Sequence, residues 1–297
     1  MMTDSFSTFH PIINFSYFIA ILIFSMVFMH PIFLGIALIS CFTYSTMLKG
    51  RSALKFNLLY MLPLLIFMAI INPAFNHEGA TIMFYLKNGN PITLESIFYG
   101  IMSAGTFVSV IIWFSCYNVV MTSDKFIYIF GKIIPALSLI FSMVLRFVPR
   151  YKQQIKIISN GQKCIGRDVS QGNIIRRARN GIKILSIMTT WALENAIETA
   201  DSMKSRGYGL TKRSSFSIFR FDNRDKITLT VIWSLIVYVS IGMVVGENTM
   251  RFFPSIKIRN ITFFSISIYI SYFILCMLPV IINIAEEIKW KHIKSII

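Results

Sequence analysis

Six long apolar segments set the strongest limit on what this chain can fold into. Each is about 20 residues long and contains no Asp, Glu, Lys or Arg, and a helix of about that length crosses a bilayer once. The segments cover residues 11–29, 31–48, 56–75, 97–120, 227–245 and 261–284. They predict an all-α integral membrane protein with about six transmembrane helices. Four of these form an N-terminal membrane region over residues 11–120, and a C-terminal pair occupies 227–285.

The charged residues are concentrated between the two membrane regions. Only 14% of the 297 residues are charged, well below the roughly 25% of soluble domains, yet the net charge is +16. From Arg146 to Lys226 there are 17 Lys and Arg against six Asp and Glu. By the positive-inside rule, residues 121–226 are predicted to form a basic cytoplasmic region with two long helices, and the N-terminus is predicted to be cytoplasmic as well. No nucleic-acid-binding motif accompanies the charge.

A short segment between the third and fourth spans has a different pattern. Two β-like runs, TIMFYLK and PITLE, flank Asn88-Gly89-Asn90. Asn-Gly between such runs is the strongest local signal for a hairpin. The sequence therefore predicts a small β-hairpin over residues 80–95, which is extracellular on this topology.

The most distinctive pattern is one long helix within the basic region, from Asn173 to Gly209. Asn173 is a suitable N-cap, and Gly207 or Gly209 supplies the left-handed residue that ends a helix, which leaves Arg206 in the last turn. Apolar residues spaced along one helical face are Ile175, Ala178, Ile182, Leu185, Trp191, Ala192, Ala196, Ala200 and Met203.

A second helix ends in the same way. Residues 151–164 are compatible with a helix that stops at Gly166, with Arg167 and Asp168 just beyond. Cys164-Ile165-Gly166-Arg167 therefore parallels Ser205-Arg206-Gly207. Two exposed helix ends of matching design predict two equivalent contacts, as a dimeric partner would require.

Several chemistries lack the residues they need. The chain has no phosphate-binding G-x-x-x-x-G-K-[ST] loop, so nucleotide must be bound by partners. Its four Cys and four His lack metal-ligand spacing, so neither a metal nor a cofactor is expected. A membrane enzyme needs clustered acidic or His residues at a membrane face, and the sequence offers none. A self-contained permease or channel remains an alternative, which the charge-free spans disfavour.

In this combination and order, the segments resemble the transmembrane T component of energy-coupling factor transporters, which take up vitamins and some metal ions in prokaryotes. The resemblance is carried by Pro135, by LRFVPR (145–150), by the basic helix that ends in CIGRD, and by ALENAIETADSMKSRGYG (192–209). It extends from the first spans to about Arg224. The family often needs only one span after this point, whereas this chain offers two.

The resemblance implies partners and roles. Two Ala-Arg-Gly-like motifs of the family end two cytoplasmic coupling helices, which dock in grooves of two ABC-type ATPases. Ser205, Arg206 and Gly207 match the second motif. Cys164 and Gly166 fit the first, but Ile165 stands where an arginine is expected. Two explanations stay open: Arg167, next to Asp168, supplies the charge from two positions later, or the groove accepts an apolar side chain.

The resemblance also implies a non-catalytic scaffold in the prokaryotic plasma membrane, which transmits ATPase motion to a substrate-binding S component. Small residues on the second coupling helix allow close helix crossing and are the expected route to that partner. These residues are Ala192, Ala196 and Ala200.

Overall fold

The computed structural model describes residues 4–85, 89–208, 219–246, 248, 250–258 and 261–296. Within these residues, α-helices, a short 3₁₀ turn, one π-helical turn and two small strand pairs make up the regular structure. The helices are α1 Pro11–Val27, α2 Pro31–Lys49, α3 Arg51–Phe56, α4 Leu62–Phe75, α5 Leu94–Val120, α6 Ser123–Ile133, α7 Pro135–Cys164, α8 Ile174–Ser205, α9 Asn223–Val245 and α10 Phe263–Ile296. A π-helical turn, Asn57–Met61, joins α3 to α4 and makes Arg51–Phe75 one continuous segment.

The predicted membrane helices are confirmed. Five helical segments in the described part of the chain are long and apolar enough to cross a membrane. They are α2, the segment formed by α3 and α4, α5, α9 and α10. The first predicted span is α1, a shorter apolar helix of 17 residues. The chain is thus an all-α, multi-pass membrane protein, and two helices do follow the basic region.

Two His-Pro pairs determine where α1 and α2 begin. Pro11 and Pro31 occupy the first helical positions, where the missing amide proton costs nothing. The Nδ1 atoms of His10 and His30 accept from the amides of Ile12, at 3.3 Å, and of Ile32, at 3.4 Å. His30-Pro31 therefore makes the predicted tight reversal between two helices, and both histidines are capping residues.

The chain divides into two compact units, which we call the membrane unit (Met1–Phe126 and Phe219–Ile297) and the central unit (Ile127–Ile218). In the membrane unit, α5 packs against α1, α2 and α4, while α10 packs against α2 and α9. An aromatic cluster lies where α1, α2 and α5 meet. Its fully buried members are Tyr17, Phe18, Tyr44 and Trp113.

The predicted hairpin is present in the membrane unit. Strand β1 (Ile82–Tyr85) pairs antiparallel with β2 (Pro91–Thr93), and Gly89 takes the left-handed conformation at φ 81°. Leu86 and Lys87 of the first predicted run and Asn88 of the predicted turn lie outside the described residues. Glu95 belongs to the first turn of α5, where its carboxylate accepts from the amide and the hydroxyl of Thr81.

A second strand pair lies between α9 and α10, where no strand was predicted. Strand β3 (Met250–Arg251) pairs antiparallel with β4 (Lys257–Ile258). The amide of Ala80, just before β1, donates to the carbonyl of Pro254 at 3.0 Å, so the two hairpins are joined. Strands of two residues leave no alternating pattern in a sequence, because one alternation is not a period.

The closest approach between α4 and α5 depends on Gly100. A Cβ atom there would lie 2.7 Å from the backbone carbonyl oxygen of Ala69, which cannot move without shifting α4. We expect Gly100→Ala to destabilise the protein by roughly 1–3 kcal/mol, seen as a lower melting temperature in detergent. Gly35→Ala in α2 is the matched control, because nothing lies within 4 Å of its added carbon. Equal melting temperatures for the two variants would contradict this packing.

Candidate functional site

The candidate site is built on α7 and α8, the two longest helices of the central unit. At 30 and 32 residues they are about 45 and 48 Å long. Helix α7 continues through Pro149, so the apolar and basic halves seen in the sequence form one helix. The two helices meet at Trp191, whose ring packs edge-on against Tyr151 at 5.5 Å and under the guanidinium of Arg150 at 5.5 Å.

One face of α8 is buried within the unit. Its buried residues are Asn180, Ile184 and Met188, at steps of four. Asn173 caps the start of α8 as predicted, accepting from the amide of Ile174 at 2.7 Å.

The loop between α7 and α8 is held against the start of α8. The side-chain amide of Asn180 donates to the carbonyl of Asp168 at 3.0 Å, and the Arg177 guanidinium donates to the carbonyl of Val169 at 2.8 Å. The carboxylate of Asp168 accepts from both the amide and the hydroxyl of Ser170. These bonds, helped by Lys163 Nζ at 3.6 Å, lower the pKa of Asp168. Asp168 therefore shapes the loop that follows the first helix end.

The first helix end is a complete Schellman motif. Ile165 is the C-cap, and Gly166 follows in the left-handed conformation at φ 76°. The amide of Gly166 donates to the carbonyl of Lys163 at 3.0 Å, and the amide of Arg167 donates to the carbonyl of Gln162 at 2.9 Å. These are the two bonds that define the motif, and they satisfy carbonyls that a helix end would otherwise leave unpaired.

The second helix end repeats the first bond for bond. Arg206 is the C-cap and Gly207 is left-handed at φ 78°. The amide of Gly207 donates to the carbonyl of Lys204 at 2.9 Å, and that of Tyr208 to the carbonyl of Met203 at 3.0 Å. The helix thus stops at Gly207, the first of the two predicted stops. Gly209, the second, lies outside the described residues.

The two motifs give a residue-by-residue equivalence. Cys164 corresponds to Ser205, Ile165 to Arg206 and Gly166 to Gly207, whereas Arg167 corresponds to Tyr208. Ile165 is 67% exposed, and Arg206 and Arg167 are also exposed. At the first end, an apolar side chain therefore occupies the position of the arginine at the second.

The two ends are far apart along the helix pair. Asn180, near the start of α8, touches Asp168 beside the first end. Arg206 lies 26 residues farther along α8, which corresponds to about 40 Å of helix. Helix α8 therefore separates two exposed helix ends of matching geometry.

The face of α8 opposite its buried residues carries an apolar stripe. Its large members are each more than 60% exposed: Ile175, Ile182, Leu185, Leu193 and Ile197. Of the three predicted packing residues, Ala196 and Ala200 lie exposed on this stripe, whereas Ala192 is partly buried toward the packed face. The sequence pattern included Ile175, Ile182 and Leu185 but missed Leu193 and Ile197.

The described residues contain no group of three or more His, Cys, Asp or Glu side chains placed to hold a metal ion. Cys164 is exposed, whereas Cys41, Cys116 and Cys276 are buried in the membrane unit.

The left-handed glycines provide a test of the two ends. Replacing Gly166 or Gly207 with Ala forces a side chain into a conformation that costs about 1–2 kcal/mol. We expect faster amide hydrogen exchange over the last turn of the affected helix. Gly161→Ala and Gly181→Ala are the controls, since both glycines lie inside α7 and α8 with open space around them. Those variants should slow exchange, because Ala favours a helix interior. Unchanged exchange in both end variants would show that the caps are not held by glycine.

Comparison with known proteins agrees with this architecture. The profile of the CbiQ family, described as "Cobalt transport protein", matches residues 9–218. Similar proteins include the energy-coupling factor transporter transmembrane protein EcfT of Staphylococcus aureus (strain 04-02981), 37% identical over 97 residues, which are 32% of this chain and 36% of the relative. EcfT of Brevibacillus brevis (strain 47 / JCM 6285 / NBRC 100599) is 34% identical over 116 residues, 38% and 43% of the two chains.

These alignments cover less than half of each relative's length. The family profile, by contrast, spans most of this chain, including the first four membrane helices and the region of both helix ends. A multi-pass protein of the plasma membrane, the chain belongs to the CbiQ family of transmembrane components of energy-coupling factor transporters.

Proposed function

We propose that this chain is the energy-coupling scaffold of an energy-coupling factor importer. It transmits ATP-driven movement from two ABC-type ATPase subunits to a substrate-binding membrane S component, which takes up a vitamin or a metal ion. The chain is non-catalytic, because ATP hydrolysis resides in the ATPases. The observation that carries the proposal is the pair of matching, exposed helix ends, separated by about 40 Å of helix α8.

Each helix end docks in one ATPase. The Schellman bonds pair two of the last backbone carbonyls at each end, and the exposed group proposed to meet the partner is the C-cap side chain. At the second end this is Arg206, whose planar guanidinium makes charge-assisted and directional hydrogen bonds. Because the glycine at the next position lacks a side chain, a partner surface reaches the helix end without obstruction.

The first end makes a different kind of contact. The Schellman equivalence places Ile165 at the position of Arg206, and Arg167 one residue beyond the glycine. This supports the apolar alternative: Ile165 enters the first ATPase groove by burying its exposed surface, and Arg167 lies at its rim. The two ATPase contacts are then equivalent in position and different in chemistry.

The apolar stripe of α8 is the proposed contact with the S component. An isoleucine and leucine row more than 60% exposed over about six helical turns is costly in water and favourable against another apolar surface. Ala196 and Ala200 allow that surface to approach the helix closely. Movement of the anchored helix ends is then carried along α8 to the stripe.

Arg206 is tested by reversing its charge. We expect Arg206→Glu to reduce the ATPase subunits that copurify with the tagged chain at least about tenfold, because a partly desolvated charge contact is lost and replaced by repulsion. Lys204→Glu changes the same charge two residues earlier, and it is the matched control that should retain both ATPases. If Arg206→Glu and the unmodified chain recover equal amounts of the ATPase subunits, Arg206 does not anchor the chain to an ATPase.

The stripe is tested by a charge at Leu193, next to the small residue Ala196. Leu193→Glu should lower recovery of the S component about tenfold while the ATPases still copurify, since burying an unpaired charge in an apolar interface is costly. Ile187→Glu introduces the same charge on α8 away from the stripe, at a residue that is 40% exposed, and should have no such effect. Loss of the S component in both variants, or in neither, would contradict the assignment of this face.

A further inference from the structure

The segment Asp4–His10, which we call the N-terminal brace, is folded into the membrane unit although it precedes the first span. Residues 6–8 form a 3₁₀ turn. Phe6 is fully buried, and its ring packs edge-on against Tyr17 at 5.1 Å and against Tyr44 at 6.5 Å. Phe9 and His10 are also buried. A segment this deeply inserted is part of the packed bundle.

The brace is fixed to α10 and α2. The side-chain oxygen of Asn283 accepts from the amides of Ser5 at 2.8 Å and Phe6 at 3.2 Å, and its nitrogen donates to Asp4 Oδ1 at 2.7 Å. The hydroxyl of Tyr44 donates to the other carboxylate oxygen at 3.4 Å. One asparagine therefore pairs with three groups of the brace.

Lys125, near the start of α6, connects this helix to the brace. It is the second-last residue before the chain leaves the membrane unit. Its side chain is almost fully buried, and Nζ donates to the carbonyls of Ser7 and Val120. The amide orientation of Asn14 that satisfies its neighbours places its oxygen 2.9 Å from Nζ and its nitrogen 3.0 Å from the carbonyl of Phe6. A buried ammonium requires such a full set of acceptors.

Arg224, near the start of α9, connects this helix to the brace. It is the sixth residue after the chain re-enters the membrane unit at Phe219. Its guanidinium lies over the ring of Phe9 at 4.2 Å and donates to the hydroxyl of Thr8 at 3.2 Å. It also pairs with Glu286 of α10 at 3.0 Å. The same short segment thus holds one residue on each side of the central unit.

We propose that the N-terminal brace locks the two chain connections of the central unit to the membrane bundle, with Lys125 and Arg224 as its positioning residues. A force on the central unit then moves the membrane bundle, because the two connections cannot move independently of each other or of the bundle. The mechanical consequence rests on the proposed function, whereas the lock itself is a property of this chain alone.

The lock is measured as a distance between the two connections. Spin labels are placed at Thr122→Cys and Asn223→Cys, both exposed, in a Cys164→Ser background that leaves only buried cysteines otherwise. The distance between the two labels is measured by pulsed electron paramagnetic resonance, with the chain in lipid nanodiscs and without partners. We expect a single narrow distance distribution, whose width at least doubles in Lys125→Met and in Arg224→Gln. Lys226→Gln, which removes a neighbouring exposed charge of α9, should keep the narrow distribution.

Unchanged widths in both brace variants overturn the proposal, and so does equal broadening in Lys226→Gln. If Lys125→Met fails to fold, Arg224→Gln decides, because its side chain is half exposed and its loss leaves no buried charge unpaired. In the assembled complex, we expect Arg224→Gln to keep both ATPases but to broaden this distance further when ATP is added, whereas the unmodified chain keeps it narrow. If no ATPase copurifies with the unmodified chain, the proposed function is wrong. The distances measured in nanodiscs still test the lock, because that measurement needs no partner.

Discussion

The last four carbonyl groups of a helix have no donors within the helix, and in this protein the need to pair some of them within the chain shapes the candidate site. Gly166 and Gly207 meet it by turning left-handed, so that two amides beyond each helix fold back onto the final turn. Two of the last carbonyls at each end are thereby paired within the chain, and the C-cap side chain is left exposed. The same backbone geometry holds the apolar side chain of Ile165 at one end and the charged side chain of Arg206 at the other. The two ends are therefore alike in shape and different in chemistry.

The membrane unit shows how polar contacts hold the chain connections in place. Its helices are held by apolar packing, which is weakly directional between helices in a bilayer, so polar contacts determine how the chain ends and connections are fixed. Asn283, Lys125 and Arg224 supply these contacts through one short segment at the N-terminus. The proposed role as a scaffold requires stiff connections as well as contact points, and the features proposed for each lie in different units of this chain.

The features predicted correctly from sequence are those that neighbouring residues determine. Charge-free runs predicted the spans, Asn-Gly predicted the first hairpin, and helix-period residues followed by glycine predicted both helix ends. The brace was not predicted, because Asn283 and Ser5 are 278 residues apart and no local pattern links them. The apolar stripe was only partly predicted: the spacing identified a face, but only packing against α7 shows which side of α8 remains exposed.

The most direct test of the account is the composition of the complex that this chain forms in its own membranes. Native mass spectrometry of the tagged chain, extracted with its lipids, measures that composition without knowledge of the substrate. The account predicts one copy of this chain with two ATPase subunits and one membrane-embedded S component. A chain that is recovered alone, and that moves a solute across liposome membranes by itself, would contradict it.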